Sequence, residues 1–407
     1  MPRGSLAALA TLLAGLAAAP SYRQPGEPAP SASPWRPATT DARRYLLYRV
    51  NPAEGFNLRR DAFLRAALLV RRLGPEWTLV LPPFERLPHW RSPDLNQDQV
   101  GWATFFDLAA LRGAVPVIEH AEYRGLHEGP LARALSLRLA QPARAGAPFS
   151  SQAETCPEAS AFPYRVSGER TETLLHGEWV EVGARECRAA FLPFSELAPL
   201  LRESGATSLL VDNLEVLFWD GSYGGPEWWE LRSKLRFAAA VRELAEGFRR
   251  ARFGEHPYLA VHLRRGDFLA AGRPVPSLSD AAAQIRREAA QHGLERLLLA
   301  TDARDDEVET LARELRFERF RPQPGTALLD GVVAMIDQWL CVRATAFVGS
   351  ATSTFTRVIQ EERQLLGHPD AATFRVLCPA REDAAGRRLF DCEQPRPFPI
   401  PAGLLAR

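Results

Sequence analysis

Lysine is almost absent from this chain: Lys234 is the sole lysine among 50 basic side chains, and every other one is arginine. A Walker A loop needs a Gly-Lys-Ser/Thr, and a pyridoxal enzyme needs a lysine for its Schiff base. Lys234 sits in Ser233-Lys234-Leu235 with no glycine loop ahead of it. Phosphate binding, if present, therefore falls to arginine and to backbone N–H groups. Net charge is lacking too. At +1, the chain has no electrostatic case for non-specific binding to nucleic acid or to an anionic membrane surface, which points to a discrete ligand. No Cys-x-x-Cys, His-x-x-x-His or His-Glu-x-x-His spacing occurs among the five cysteines and eight histidines, which argues against a zinc site. There is no G-x-G-x-x-G, no internal repeat and no Asn-x-Ser/Thr sequon, so neither a dinucleotide fingerprint, a solenoid nor an N-glycan is expected. No apolar run is long enough to span a bilayer.

What is present bounds the architecture. With 46% hydrophobic and 24% charged residues over 407 positions, the chain can bury a large core and is expected to form two domains. Met1-Pro2-Arg3, an apolar stretch over 6–16 and Ala17-Ala18-Ala19 read as a signal peptide, residues 1–19. Residues 20–40, with six prolines from Pro20 to Pro37, read as an extended Pro-rich leader. The cysteines fit this oxidising route. Cys156 and Cys187 bracket one irregular segment, Cys378 and Cys392 bracket the C-terminal tail, and Cys341 lies in an apolar run. Two disulfides and one buried thiol are expected.

Strand-helix alternation runs through both halves. Tyr45 to Val50, Trp77-Thr78-Leu79-Val80-Leu81 and Ala114-Val115-Pro116-Val117-Ile118 predict strands, with a helix from Arg60 to Leu73. Residues 120–205 show no sustained periodicity and are expected to be loops and short helices. A second rhythm follows: strands at Tyr258 to Leu263, 296–300 and 346–349, and helices near 277–291, 304–315, 331–343 and 354–364. Such alternation builds a doubly wound, mostly parallel α/β sheet in each of two domains, placed at 41–250 and 251–407.

Three junctions carry candidate chemistry. In Asn51-Pro52-Ala53-Glu54-Gly55-Phe56-Asn57 a strand gives way to a helix through a turn offering a carboxylate, a flexible backbone and an amide, a base beside a helix N-terminus. In His262-Leu263-Arg264-Arg265-Gly266-Asp267 a strand delivers charged groups around a glycine turn. In Gly349-Ser350-Ala351-Thr352-Ser353-Thr354-Phe355 a hydroxyl-rich loop opens a helix and can cradle phosphate oxygens or simply cap it. Asp337 falls on the buried helix before that loop, where an unpaired carboxylate is costly, so it needs an arginine or the N–H edge of a bound base.

Residues 44–60, Val80-Leu81-Pro82-Pro83, His89-Trp90, Pro116-Val117-Ile118-Glu119, residues 261–268, Ala300-Thr301-Asp302 and residues 331–363 together resemble the GDP-fucose protein O-fucosyltransferases, most closely those acting on thrombospondin type 1 repeats. The resemblance spans nearly all of the chain after the leader and is poorest over about 121–207. It implies a GT-B glycosyltransferase of two facing Rossmann-like domains, with the donor mostly on the C-terminal one. It implies inverting transfer of fucose from GDP-β-L-fucose to Ser or Thr of folded thrombospondin type 1 repeats. Glu54 matches the family's catalytic base, and Ala53, Gly55, Phe56 and Asn57 the donor loop around it, with Ala53 where the nearest relatives have proline. His262, Leu263 and Arg264 match the sugar and diphosphate segment, Asp337 the nucleoside end, and Thr354 and Phe355 the phosphate loop. No Asp-x-Asp triplet occurs, so catalysis without a metal or other cofactor is expected. Epidermal-growth-factor-like repeats are the alternative acceptor, disfavoured by the 51–60 loop and His89-Trp90. A non-catalytic lectin or chaperone is the other alternative, disfavoured by the joint presence of Glu54, Asn57 and Arg264. The expected setting is the endoplasmic reticulum lumen or Golgi, although Leu404-Leu405-Ala406-Arg407 carries no Lys-Asp-Glu-Leu signal; a monomer is the default expectation.

Overall fold

The structure is a computed structural model that describes residues 43–138, 153–154, 161–189, 194–216, 224–323, 325–385 and 387–405. The expected signal peptide, the Pro-rich leader and Cys156 lie outside the described residues. The chain divides into two compact units between Ala240 and Val241.

The first unit is built on a seven-stranded sheet of order β3-β2-β1-β10-β4-β9-β5. Its strands are β1 (Arg44–Tyr48), β2 (Trp77–Leu81), β3 (Val117–Glu119), β4 (Arg133–Arg138), β5 (Ala153–Glu154), β9 (Arg185–Ala189) and β10 (Ser208–Asp212). A small antiparallel sheet, β6 (Tyr164–Ser167), β7 (Arg170–Leu175) and β8 (Glu178–Val182), accompanies it. The helices are α1 (Phe56–Leu73), α2 (Leu108–Arg112), α3 (His120–Leu126), α4 (Phe194–Glu203) and α5 (Pro226–Lys234). β2 and β10 are buried at every position, as expected of parallel strands covered on both faces. α1 covers the sheet with Phe63, Leu64, Ala66, Ala67 and Val70, all buried, and stops at Gly74.

Expectation and structure part over 120–205. The expected short helices are present as α3 and α4, but the stretch between them also supplies the strands β4 and β6 to β9. These strands are four to six residues long, so their period-two alternation never runs far enough to stand out. His176-Gly177 closes the β7/β8 hairpin with φ of 49° and 91°, the paired left-handed geometry of a two-residue turn that matches strand twist.

The second unit holds a four-stranded sheet of order β12-β11-β13-β14, parallel throughout. Its strands are β11 (Tyr258–Leu263), β12 (Arg296–Thr301), β13 (Ala346–Ser350) and β14 (Arg375–Leu377). α6 (Ala239–Arg252) precedes β11, and between the strands run α7 (Gly266–Ala270), α8 (Leu278–Gln291), α9 (Asp305–Glu314), α10 (Asp330–Val342) and α11 (Thr354–Leu365). The core joins Leu259, Val261 and Leu263 of β11 to Leu297 and Leu299 of β12, Val348 of β13 and Ile285 of α8. Cys378 and Cys392 form the expected disulfide, Cys341 is a buried free thiol, and Cys187 is disulfide-bonded.

Both sheets have a point where the order of strands reverses. In the first unit β1 lies between β2 and β10; in the second β11 lies between β12 and β13. Crevices beyond the carboxyl ends of strands at such points are where open α/β sheets bind ligands.

Candidate active site

The chain leaves β1 into the turn that carries Glu54. Asn51 organises it: its side-chain oxygen accepts from the Ala53 N–H at 3.0 Å, and its backbone carbonyl accepts from the Glu54 N–H at 2.9 Å. Arg59, one turn into α1, donates from Nε to the Glu54 carbonyl at 3.3 Å. Glu54 is partly buried. α1 then starts at Gly55 with no side-chain cap from that residue and no acidic residue in its first turn, so no side-chain carboxylate offsets the positive end of the helix there. The His89 ring borders Gly55, where a Cβ would sit 3.6 Å from Cδ2.

Phe56 turns inward. Its ring stacks on Phe106 at 6.0 Å and meets Phe84 and Phe105 at 5.0 Å, so only its main chain faces the turn's ligand side. Asn57 follows, partly buried, on the first turn of α1. Ala53 is exposed. Burial pulls the Arg59 guanidinium below the usual arginine value, and Glu85, Tyr48, Glu215 and Glu54 oppose that shift. Glu215 accepts the Asn51 N–H at 3.2 Å from the far side of the turn.

In the second unit the ends of β11 and β13 are stitched by hydroxyls. Ser350 Oγ donates to the His262 carbonyl at 2.9 Å and accepts from the Arg264 N–H at 2.8 Å. Thr356 Oγ1 accepts from the Ser350 N–H at 2.9 Å and lies 2.8 Å from His262 Nδ1. Burial holds the imidazole pKa down at about 3, with Arg264 adding to the shift, so the ring is neutral at physiological pH. It stacks on Phe355 with centroids 4.4 Å apart. Leu263 sends its side chain into the core and contributes only main chain at this edge.

Arg264 is held by Asp267 at 2.7 Å and Asp302 at 3.2 Å, while Arg265 pairs with Glu307 at 2.8 Å. The neighbouring arginines thus divide their work. Gly266 is required next to them, since a Cβ there would fall 2.7 Å from Asp302 Oδ2. α11 begins at Thr354 with no side-chain cap and no acidic residue in its first turn, and Thr352 just before it has φ of 59°. Its N-terminus therefore gathers Thr354, Phe355 and the neutral His262 around open backbone donors.

Asp337 stands on α10 with Oδ1 enclosed and without a hydrogen-bond partner. Burial raises its carboxyl to about 7, against the opposing charge of Arg319. Arg319 Nη1 is likewise enclosed and unpartnered. No convergence of three or more His, Cys, Asp or Glu side chains suited to a metal occurs among the described residues, and no described helix is long and apolar enough to cross a membrane.

Sequence reasoning placed the three junctions but missed Ser350, Thr356 and Glu215 as their supports. Ser350 and Thr356 flank a loop already conspicuous for hydroxyls. Glu215 had no local signal, because it meets Asn51 only through the pairing of β1 with β10.

Comparisons with known proteins follow the same lines. Residues 45–366 match the family model for GDP-fucose protein O-fucosyltransferase. A Homo sapiens protein named GDP-fucose protein O-fucosyltransferase 2 is 36% identical over 410 residues, covering 92% of this chain and 93% of the human one. A Caenorhabditis elegans protein of that name is 32% identical over 394 residues, 88% of this chain and 90% of the other. The crystal structure of POFUT1 in complex with GDP-fucose shares the fold, with a TM-score of 0.55 at 19% identity over 80% of this chain and 96% of that one. The architecture, two Rossmann-like α/β units, is of the GT-B class. With the family model matched over most of its length and relatives this similar across nine-tenths of it, the chain belongs to the GDP-fucose protein O-fucosyltransferase family.

Proposed function

We propose that this protein transfers fucose from GDP-β-L-fucose, with inversion at the anomeric carbon, to a Ser or Thr hydroxyl of folded thrombospondin type 1 repeats. The observation that carries the reading is Glu54 on a turn pinned at both ends by Asn51 and Arg59, at the mouth of the first sheet's switch point. The acceptor oxygen attacks C1 of fucose, Glu54 takes its proton, and the bond from C1 to the β-phosphate oxygen breaks as GDP leaves. General-base assistance of this kind contributes roughly 10²- to 10⁴-fold. Gly55, Phe56 and Asn57 bring the N-terminus of α1 and an amide to the donor, with Ala53 at the rim of the turn.

Negative charge gathers on the departing diphosphate. Arg264, its fork set by Asp267 and Asp302, and the N–H groups at Thr354 and Phe355 supply fixed positive ends for it. His262 and the Leu263 main chain line the sugar and diphosphate segment, and Asp337 takes the N–H edge of guanine. The absence of an Asp-x-Asp triplet supports catalysis without a metal. The thrombospondin-repeat acceptor rests on the 51–60 loop and on likeness to relatives named O-fucosyltransferase 2. The leader sequence and the cystines support an enzyme of the endoplasmic reticulum lumen.

The experiment is Glu54→Gln, which keeps the size of the side chain and removes the base. Transfer falls by about 10²-fold or more while the GDP-fucose dissociation constant stays within about 3-fold of wild type. Transfer by this variant at the wild-type rate would overturn the assignment.

A further inference from the structure

Glu215 lies on a short 3-10 turn, Leu214–Val216, directly after β10. β10 is the parallel neighbour of β1, in register from Tyr45↔Ser208 to Tyr48↔Val211. The two strands stay zipped beyond their ends: the Arg49 N–H donates to the Val211 carbonyl at 2.8 Å, and the Leu214 N–H donates to the Arg49 carbonyl at 3.1 Å. The next link is a side chain. Glu215 Oε1 accepts the N–H of Asn51 at 3.2 Å, and Asn51 in turn caps Ala53 and Glu54. The carboxylate thus reaches Glu54 through two consecutive hydrogen bonds.

Holding a carboxylate in this place is costly. Glu215 Oε2 is enclosed with no hydrogen-bond partner, and burial together with the nearby charge of Glu54 raises the Glu215 carboxyl above the usual range. An amide, or a backbone carbonyl from the same turn, would hold Asn51 without that penalty. A group kept under such strain at the end of a central strand, beside a switch-point crevice, is one whose position the site uses. We infer that Glu215 is a positioning residue for fucose transfer: through Asn51 it fixes the turn that presents Glu54 to the acceptor hydroxyl. The inference rests on the reading of Glu54 as the base.

Glu215→Asp keeps the charge but withdraws the oxygen from Asn51 by one methylene. Glu215→Gln keeps an acceptor at Oε1. Steady-state transfer is measured for both, alone and combined with Glu54→Gln, with thermal unfolding recorded for each. Glu215→Asp lowers kcat by about 10- to 100-fold while the GDP-fucose KM stays within about 2-fold, since a displacement near 1 Å costs rate without costing donor contacts. Glu215→Gln stays within about 3-fold of wild type, and in the Glu54→Gln background Glu215→Asp lowers the residual rate no further. Glu215→Ala removes the acceptor of the Asn51 N–H outright and gives the same loss confined to kcat, so the test stands even if Glu215→Asp fails to fold. Wild-type kcat in Glu215→Asp or Glu215→Ala, an equal loss in Glu215→Gln, or losses that multiply in the double variant would overturn the inference. An inactive Glu54→Gln alongside a fully active Glu215→Asp sinks the positioning role alone, whereas a fully active Glu54→Gln sinks the base assignment.

Discussion

If Asp337 meets the guanine of the donor, as proposed above, its enclosed carboxyl ties donor recognition to pH. Its raised value of about 7 comes from burial, with Arg319 pulling the other way. The folded protein without ligand therefore keeps a proton on Asp337 that the unfolded chain releases near the ordinary carboxylate range. Its contribution to stability is present at low pH and lost as pH rises through about 7. Donor binding has the opposite sign. Guanine offers N–H donors that favour the ionised carboxylate, so at pH 6 a proton must first leave, and GDP-fucose binds about 10-fold more weakly there than at pH 8. GDP-fucose is the right probe because its substituted diphosphate does not titrate in this window. Calorimetric titration of wild type and Asp337→Asn checks this: the variant binds more weakly and loses the pH slope. An identical slope in both would show that Asp337 does not meet the base.

Legibility from sequence changes at the scale of the element. β2 and β11 coincide residue for residue with the apolar runs that predicted them, because buried parallel strands are short, continuous and bounded by Pro or charged residues. The helix expected from Arg60 begins at Phe56, where Gly55 opens it without any cap to announce it. β10, as long as β2, was missed although it is central, since Ser-Leu-Leu-Val-Asp follows closely on the helical residues of α4 with no proline to set it apart. The site divides the same way. Glu54, His262 and Thr354 lie where a strand or loop ends in turn-forming residues, so local chemistry marks them. Glu215, Ser350 and Thr356 act across strand pairings, and Glu215 is 164 residues from the N–H it holds; nothing local encodes that contact.

One helix junction depends on a single side chain. Arg363 of α11 is fully buried and donates to the carbonyls of Cys341 and Val342 at the end of α10, to those of Ala344, Thr345 and Ala372, and to Thr373 Oγ1. These include carbonyls that the helix end leaves without intrahelical partners. Burial brings the guanidinium down to about 10, still charged at neutral pH. Arg363→Met would strand several buried carbonyls, each expensive to leave unbonded. The expected loss is about 3 to 5 kcal/mol, seen as an unfolding midpoint lowered by about 10 °C. Arg363→Lys fares little better, because an ammonium cannot span that fan of acceptors. A shift below about 2 °C in Arg363→Met would show that the carbonyls find other partners.

At the scale of the whole molecule the division of labour follows the two units. The first carries the Glu54 turn and the supports behind it, and the second carries the neutral histidine, the arginine and the open helix start that suit a sugar diphosphate. Each group sits beyond the carboxyl ends of its own parallel sheet, at the place where strand order reverses. The chain has one lysine and a net charge of +1, so anion binding falls to arginines and helix ends. The measurement that tests the account most directly is transfer from labelled GDP-fucose, with a chelator present, to a folded thrombospondin type 1 repeat, the same repeat reduced and alkylated, and a folded epidermal-growth-factor-like repeat. The account predicts label on the folded thrombospondin repeat alone. Label on the epidermal-growth-factor-like repeat alone, or none on any acceptor while GDP-fucose still binds, would contradict it.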